Sequence, residues 1–394
     1  MKTIVVAGGA GFIGSNFVRI ALARDHWRVV VFDKLTYAGS RLNLQPVEHN
    51  PRFKFFLGDI TDRKAMRAVL TESRPDALLN FAAETHVDRS IDGPRDFLET
   101  NVIGTFELLE AARAHCQELS PTERESFRFL HVSTDEVYGS LGDRRASTEN
   151  DPYAPNSPYA ASKASADHFV RAYHETFGLP VLTTNCSNNY GYYQYPEKLI
   201  PLAISNAIGG KPIPIYGDGL NVRDWIFVDD HCEALIAILE HGQPGRKYNI
   251  GANCEQTNSA LIAQICTILD ELSPPGLNPL LTSQGVKSHA DLISFVADRP
   301  GHDRRYALDS RLIQRELGWQ PRVGLAEGLR TTVRWYLDNR EWCIAVRRGR
   351  YTGGRLGLSG ISSQPTTASP SSVNSVLEPD LATASQSSST PSRR

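Results

Sequence analysis

The sequence predicts an α/β protein, a doubly wound parallel sheet that fills the first half of the chain, followed by a smaller C-terminal α/β lobe. Three observations predict it. Short β-branched runs alternate with helical patterns, a three-glycine turn joins the first such run to the first helix, and the rhythm weakens after about Asn188. Strands that alternate with amphipathic helices make right-handed crossovers, which lay the strands parallel in one sheet.

In chain order, Thr3 to Ala7 reads as the first strand, Gly14 to Arg24 as the first helix and Arg28 to Phe32 as the second strand. Ala77 to Phe81 and Phe129 to Ser133 read as further strands, with polar His115 to Ser126, containing Pro121, as a surface loop before the latter. Beyond Asn188, Pro- and Gly-punctuated segments such as Lys211 to Asp218 read as the outer lobe, whose last helix is predicted over Leu325 to Asn339. From Ser359 to Arg394, 20 of the 36 residues are Ser, Thr or Pro and none is aromatic, so burial cannot offset the entropy of ordering. The predicted units are therefore residues 1–188 for the sheet domain, 189–350 for the outer lobe and 351–394 for a disordered tail.

The 394 residues carry 42 Lys plus Arg against 44 Asp plus Glu, a formal charge of -2. That balance excludes a nucleic-acid or anionic-membrane partner held by bulk electrostatics. No apolar run approaches the roughly 20 residues that span a bilayer, and the first residues carry no cleavage-site pattern, so a soluble, unprocessed protein is expected. Cys116, Cys186, Cys232, Cys254, Cys266 and Cys343 form no Cys-x-x-Cys pair, and no His stands at ligand spacing. Reduced thiols in a cytoplasmic protein are expected, with no metal.

The run from Lys2 to Gly14 places a strand directly before Gly8, Gly11 and Gly14 and then a helix. Gly8 permits the tight turn, Gly11 lets the backbone approach a pyrophosphate, and Gly14 lets the helix pack on the sheet, with the helix N-terminus facing the phosphates. Asp33 closes the second strand, where a carboxylate accepts both adenosine ribose hydroxyls and repels a 2'-phosphate. NAD is therefore expected over NADP, although Lys34 follows at once. Asp59 and Ile60, after the third strand, fall where the adenine would lie, and for Asp59 a turn-capping role is an equal reading.

Tyr159 and Lys163 stand four apart on one helix face. A neighbouring ammonium favours the phenolate, so the phenol is expected to fall from its ordinary value near 10 towards working pH and to take a proton from a hydroxyl as hydride leaves the carbon. Upstream, a strand ending in Ser133-Thr134 can aim a hydroxyl at the same oxygen. Asp135 and Glu136 follow immediately. Two crowded carboxylates separate their proton affinities, one protonated to donate to a departing hydroxyl and one ionised to remove an α-proton, which is what a dehydration needs. Which of the two does which is open at this level.

On these motifs the chain resembles the extended short-chain dehydrogenase/reductases, and more narrowly the dTDP-glucose 4,6-dehydratases, from Met1 to about Asn339. The resemblance implies a Rossmann sheet with bound NAD, Asp135 as the acid and Glu136 as the base beside Thr134, Tyr159 and Lys163. On the cofactor side it implies Phe12, Ile13, Lys34, Thr36, Ala82, Ala83, Thr100 and Asn189 as well as the residues above. On the sugar-nucleotide side it implies Glu84, His86, Asn188, Glu197, Lys198, Leu199, Pro214, Tyr216, Arg223, Asn258, Arg299 and His302, with Tyr216 against the base and Arg223 on the pyrophosphate. It also implies a homodimer that pairs helices around Asn101 to Ala114 and Tyr159 to Phe177 into a four-helix bundle. Ala7 departs from the family pattern, which has a hydroxyl residue there. A sugar-nucleotide 4-epimerase or a UDP- or GDP-sugar dehydratase remains an alternative, since Tyr216 stacks on thymine or uracil alike. A silent dinucleotide-binding scaffold is a weaker one, having no use for all five catalytic side chains.

Overall fold

The computed structural model describes residues 1–142, 145–348 and Leu356. Apart from Leu356, the 351–394 tail lies outside the described residues. Seven parallel strands form the main sheet: β1 Lys2–Ala7, β2 Trp27–Asp33, β3 Phe53–Leu57, β4 Ala77–Asn80, β5 Arg128–Thr134, β6 Val181–Cys186 and, returning late from the second half, β10 Lys247–Ile250. Their order is β10-β6-β5-β4-β1-β2-β3. Chain order reverses between β1 and β4, and the carboxyl ends of strands beside such a reversal are where open α/β sheets bind ligands.

The strands are apolar on both faces because helices cover both. In β1, Ile4 and Val6 join the core on one side while Val5 and Ala7 join the core on the other, the period of two that a doubly covered strand requires. The first core is closed by the helices Phe12–Ala23 and Val228–His241, and the second by Arg63–Ser73, Thr105–Glu118 and Pro158–Phe177. The outer lobe has its own core of Ile204, Ile215, Leu261, Ile265, Leu329 and Tyr336. It is built on two small sheets, one ordered β11-β9-β7 from β7 Asn188–Tyr190, β9 Val222–Phe227 and β11 Glu255–Thr257, the other pairing β8 Ile213–Tyr216 with β12 Ile293–Val296.

Two expectations are corrected. The segment His115 to Ser126 is not a surface loop: the Thr105–Glu118 helix runs through buried His115 and Cys116, and Ser120 and Glu123 then form a reciprocal cap on a short helix, Pro121–Ser126. The Ser-Pro-x-Glu order is that cap's signature, and Phe127 packs edge-on against His115. The Leu325–Asp338 helix is not the last, because Arg340–Arg347 forms another, tied back to the first half by Trp342 Nε1 donating to Asn43 Oδ1 at 3.0 Å. Among the described residues no helix is long and apolar enough to cross a membrane.

Candidate active site

Gly8 turns at φ 77° with Ala82 so close that a Cβ would stand 2.4 Å from its nitrogen. The helix that follows has Gly11 at its N-cap and no side chain capping its first turn, so the N–H groups of that turn are offered to an anion. Around this turn Gly8, Gly11, Asp33, Lys34, Thr36, Ile60, Ala82, Ala83, Glu84 and Thr100 line one cleft. Phe12 and Ile13, which follow Gly11, pack their side chains against the core. Asp33 is buried and held by the N–H groups of Ala10 and Leu35 at 2.9 and 2.8 Å, which fixes its carboxylate at the end of β2. Lys34 is 3.3 Å from Asp59, and Asp59 also caps the Thr61 N–H at 2.9 Å, so it does the turn-capping work while restraining Lys34. Thr100 comes from a π-helical stretch, Leu98–Gly104, in a helix that otherwise continues to Glu118; such wider turns recur at functional sites. An anion-ready turn, an apolar slot at Ile60 and a fixed carboxylate fit a dinucleotide.

At the end of β5, the Thr134 hydroxyl donates to Asp135 Oδ1 at 3.2 Å and accepts the Glu136 N–H at 3.3 Å, folding both acids into one tight turn, Asp135–Tyr138. Burial, reinforced by Glu136, pushes Asp135 well above the ordinary carboxylate range. Burial also raises Glu136, but Arg299, Arg223 and Lys198 oppose it. The two acids thus sit in different fields, the more strongly raised one being Asp135.

Tyr159 and Lys163 are both buried on the Pro158–Phe177 helix. The expectation that Lys163 lowers the phenol is corrected: burial, then the negative charge of Glu136, drives Tyr159 well above its ordinary value, and Thr134 opposes this only in part. Lys163 is turned to the Val132 carbonyl, to which it donates at 2.8 Å.

Glu136 also faces a second, larger cavity of about 510 Å³, lined by His86, Asn188, Asn189, Glu197, Lys198, Leu199, Pro214, Tyr216, Arg223, Asn258, Arg299 and His302. Three cations converge there. Lys198 donates to the Thr85 carbonyl at 2.8 Å, Arg223 to the Asp303 carbonyl at 2.9 Å, and Arg299 to Asp88 at 3.0 Å. Burial, with Lys198, Arg89 and Arg299, keeps His86 neutral, while burial, with Arg299, brings His302 to about 4 although its Nδ1 lies 2.6 Å from Asp298. Glu197 forms an ion pair with Arg89 at 2.9 Å.

Glu84, expected on the sugar-nucleotide side, lines the cleft at the glycine turn, where Asn101 grips its backbone N–H and C=O at 2.9 and 3.0 Å, and Asn189, expected on the cofactor side, lines the larger cavity. Thr134, Asp135, Tyr159 and Lys163 are in the lining of neither cavity. Sequence reasoning left Asp88 unassigned, although its carboxylate joins Arg299 to the Tyr216 hydroxyl, 3.2 Å away. It also left Asp167 unassigned, for which the four-residue spacing after Tyr159 and Lys163 was the available signal.

The GDP-mannose 4,6 dehydratase family profile matches residues 5–332. A dTDP-glucose 4,6-dehydratase of Xanthomonas campestris pv. campestris (strain B100) is 53% identical over 359 residues, 91% of this chain and 100% of that one. The dTDP-glucose 4,6-dehydratase 1 of Escherichia coli (strain K12) is 50% identical over 357 residues, 88% and 96% of the two chains. The crystal structure of a Streptomyces venezuelae dTDP-glucose 4,6-dehydratase with NAD bound has a TM-score of 0.77 at 47% identity, covering 87% and 99%. Fold and site together define a sugar-nucleotide-modifying enzyme of the short-chain dehydrogenase/reductase class. Within that class the Thermus thermophilus UDP-glucose 4-epimerase, solved with NAD, shares the fold at TM-score 0.73 but only 28% identity, covering 86% and 99%. The chain belongs to the dTDP-glucose 4,6-dehydratase family.

Proposed function

We propose that this enzyme is a hydro-lyase that converts dTDP-glucose into dTDP-4-keto-6-deoxy-glucose and water, with NAD regenerated in each cycle. The observation that carries the reading is the position of Glu136, which shares a buried turn with Asp135 and also faces a cavity holding Lys198, Arg223 and Arg299. Paired carboxylates suit an elimination, and the cations suit a diphosphate. Residues 1–188 with β10 form the cofactor side of this reading and 189–350 most of the sugar-nucleotide side.

The glycine turn, Asp33 and Lys34 hold the dinucleotide. The chemistry that NAD supplies when bound is a hydride acceptor for C4, a hydride donor for C6, and a positively charged ring in a site whose own charges disfavour a phenolate. Tyr159, as the phenolate, with Thr134 and Lys163, takes the proton of the C4 hydroxyl and becomes the neutral phenol. The resulting 4-ketone acidifies C5, whose proton goes to Glu136, the acid kept more readily ionised by the three cations. Asp135, held protonated by burial, gives its proton to the C6 hydroxyl as water leaves. Lys198, Arg223 and Arg299 bind the diphosphate, and Tyr216 stacks on the base.

Substrate deuterated at C4 and turned over in ordinary water is expected to give product with deuterium in its methyl group. Unlabelled substrate in heavy water is expected to gain deuterium at C5. Label returned to C4 with no methyl formed would identify an epimerase instead, and label released in soluble reduced cofactor a simple dehydrogenase.

The assembly we propose is a homodimer through a four-helix bundle. Leu98 and Ile103 on one helix and Phe169 and Phe177 on its neighbour are 56%, 49%, 41% and 50% exposed, and Phe106 and Phe169 lie edge to face between the two. An exposed aromatic face of this kind marks an interface. Changing Phe169→Asp together with Phe177→Asp is expected to halve the mass measured by light scattering; a wild-type protein that is already monomeric would remove the proposal. A cytoplasmic setting is supported by six free thiols.

A further inference from the structure

Behind Tyr159 and Lys163 runs a buried polar chain that the proposed chemistry does not use. Tyr159, Lys163 and Asp167 recur every four residues along the Pro158–Phe177 helix, so one face presents phenol, ammonium and carboxylate in turn. Asp167 is 5% exposed, yet one of its oxygens accepts from the Tyr153 hydroxyl at 2.8 Å and from Asn185 Nδ2 at 3.2 Å. The other oxygen lies 3.3 Å from His131 Nε2.

The imidazole's tautomer follows from its far side. Asn80 Nδ2, 3.2 Å away, donates to Nδ1, which leaves the ring proton on Nε2, facing Asp167. The same Nε2 is 3.5 Å from Lys163 Nζ but, carrying its proton, accepts nothing from it, so the neutral imidazole stands beside both the ammonium and the carboxylate. The groups that act on Lys163 are Asp167 on its own helix, His131 on β5 and Cys186 on β6, with Tyr159 one turn away on the same helix. Those that face Asp167 are His131, Ser133, Tyr153, Asn185 and Lys163, with Lys247 3.4 Å beyond the Tyr153 hydroxyl. Burial drives Lys163 towards neutrality and Asp167 opposes it, while His131, brought to about 4 by burial, stays uncharged and cannot substitute. An uncompensated ammonium at such a depth would shed its proton.

We propose that Asp167 is the positioning residue of the Tyr159 and Lys163 pair, the fixed counter-charge, oriented by His131, Tyr153 and Asn185, that keeps Lys163 an ammonium beside the phenol. The proposal rests on the roles given to Tyr159 and Lys163 above. Losing the carboxylate removes a negative charge near Lys163, so the ammonium is lost at lower pH and the alkaline limb of the rate profile moves down. A residue that merely packs the helix would lower stability without moving that limb.

The test is the pH dependence of kcat and KM for the NAD-loaded wild type, Asp167→Asn, Asp167→Glu and Lys163→Met on dTDP-glucose. Asp167→Asn is expected to move the alkaline limb down by about one pH unit or more, and so to lose about tenfold in kcat on that limb, with little change in KM. Asp167→Glu is expected to restore most of the limb. A folded Asp167→Asn variant with the wild-type limb, beside an inactive Lys163→Met, overturns the proposal and leaves the reading of the pair intact; a Lys163→Met variant with the wild-type profile overturns both. Should Asp167→Asn fail to fold, the double variant Lys163→Met with Asp167→Asn is expected to melt above it, because no buried charge is then unpaired; a double variant no more stable than the single one overturns the proposal.

Discussion

Glu136→Gln is expected to leave the oxidation half of the reaction running and to stop the elimination. The substitution keeps the shape of the side chain and its place in the Asp135–Tyr138 turn but removes the base. Reduction of bound NAD, followed by the absorbance of the reduced nicotinamide in a single turnover, should persist while 6-deoxy product falls by about 10²–10⁴-fold, the usual worth of a positioned base. Tyr159→Phe removes the group that starts the redox step and should abolish both signals. The contrast matters because burial and the carboxylates already oppose the Tyr159 phenolate, so the two variants act on opposite sides of that balance. Equal loss of cofactor reduction in the two variants would refute this division of roles. Taking away the negative charge of Glu136 also relieves Tyr159, so the surviving oxidation in Glu136→Gln should reach to lower pH than in the wild type.

Gly14→Ala should release the cofactor and lower the melting temperature together. A Cβ at that position would lie 2.3 Å from the Gly8 carbonyl oxygen and 2.9 Å from Gly9 Cα, both backbone atoms that cannot swing aside. The helix must therefore back away from the turn, which withdraws its N-terminus from the phosphates and overpacks the joint at a cost of roughly 1–3 kcal/mol or more. Gly11→Ala is the informative companion, since its Cβ meets only the Gly8 oxygen, at 3.3 Å, and otherwise opens on the cleft. It should keep most of the stability and lose cofactor affinity. A purified Gly14→Ala protein that retains one NAD per chain and melts like the wild type would contradict the argument.

What could be read along the chain were features whose cause is local. β1, β2, β4 and β5 fall within a residue or so of the expected runs, because a strand buried on both faces needs an unbroken apolar stretch. The spacing of Gly8, Gly11 and Gly14 reflects a turn of fixed geometry, and Tyr159 and Lys163 share a face because a helix returns to it every fourth residue. β10 escaped notice: four residues are too few for a period, and only the opening beside β6 makes them a strand. The cap at Ser120 and Glu123 was legible but masked by the polarity of its neighbours.

The sequence by itself determined the class of fold and the dinucleotide turn, and it offered Asp135, Glu136, Tyr159 and Lys163 as candidates, since each of these patterns depends on contacts within a few residues. Only the tertiary structure decided which charges act on which. Glu136 is brought to Lys198, Arg223 and Arg299 by the outer lobe, Asp88 to Arg299 and Tyr216, and Asp167 to His131 by strand packing. It also reversed the direction expected for Tyr159. The physical reason is that a proton affinity is set by burial and by charges within a few ångströms, and in a sheet closed by distant strands those charges come from residues far apart along the chain.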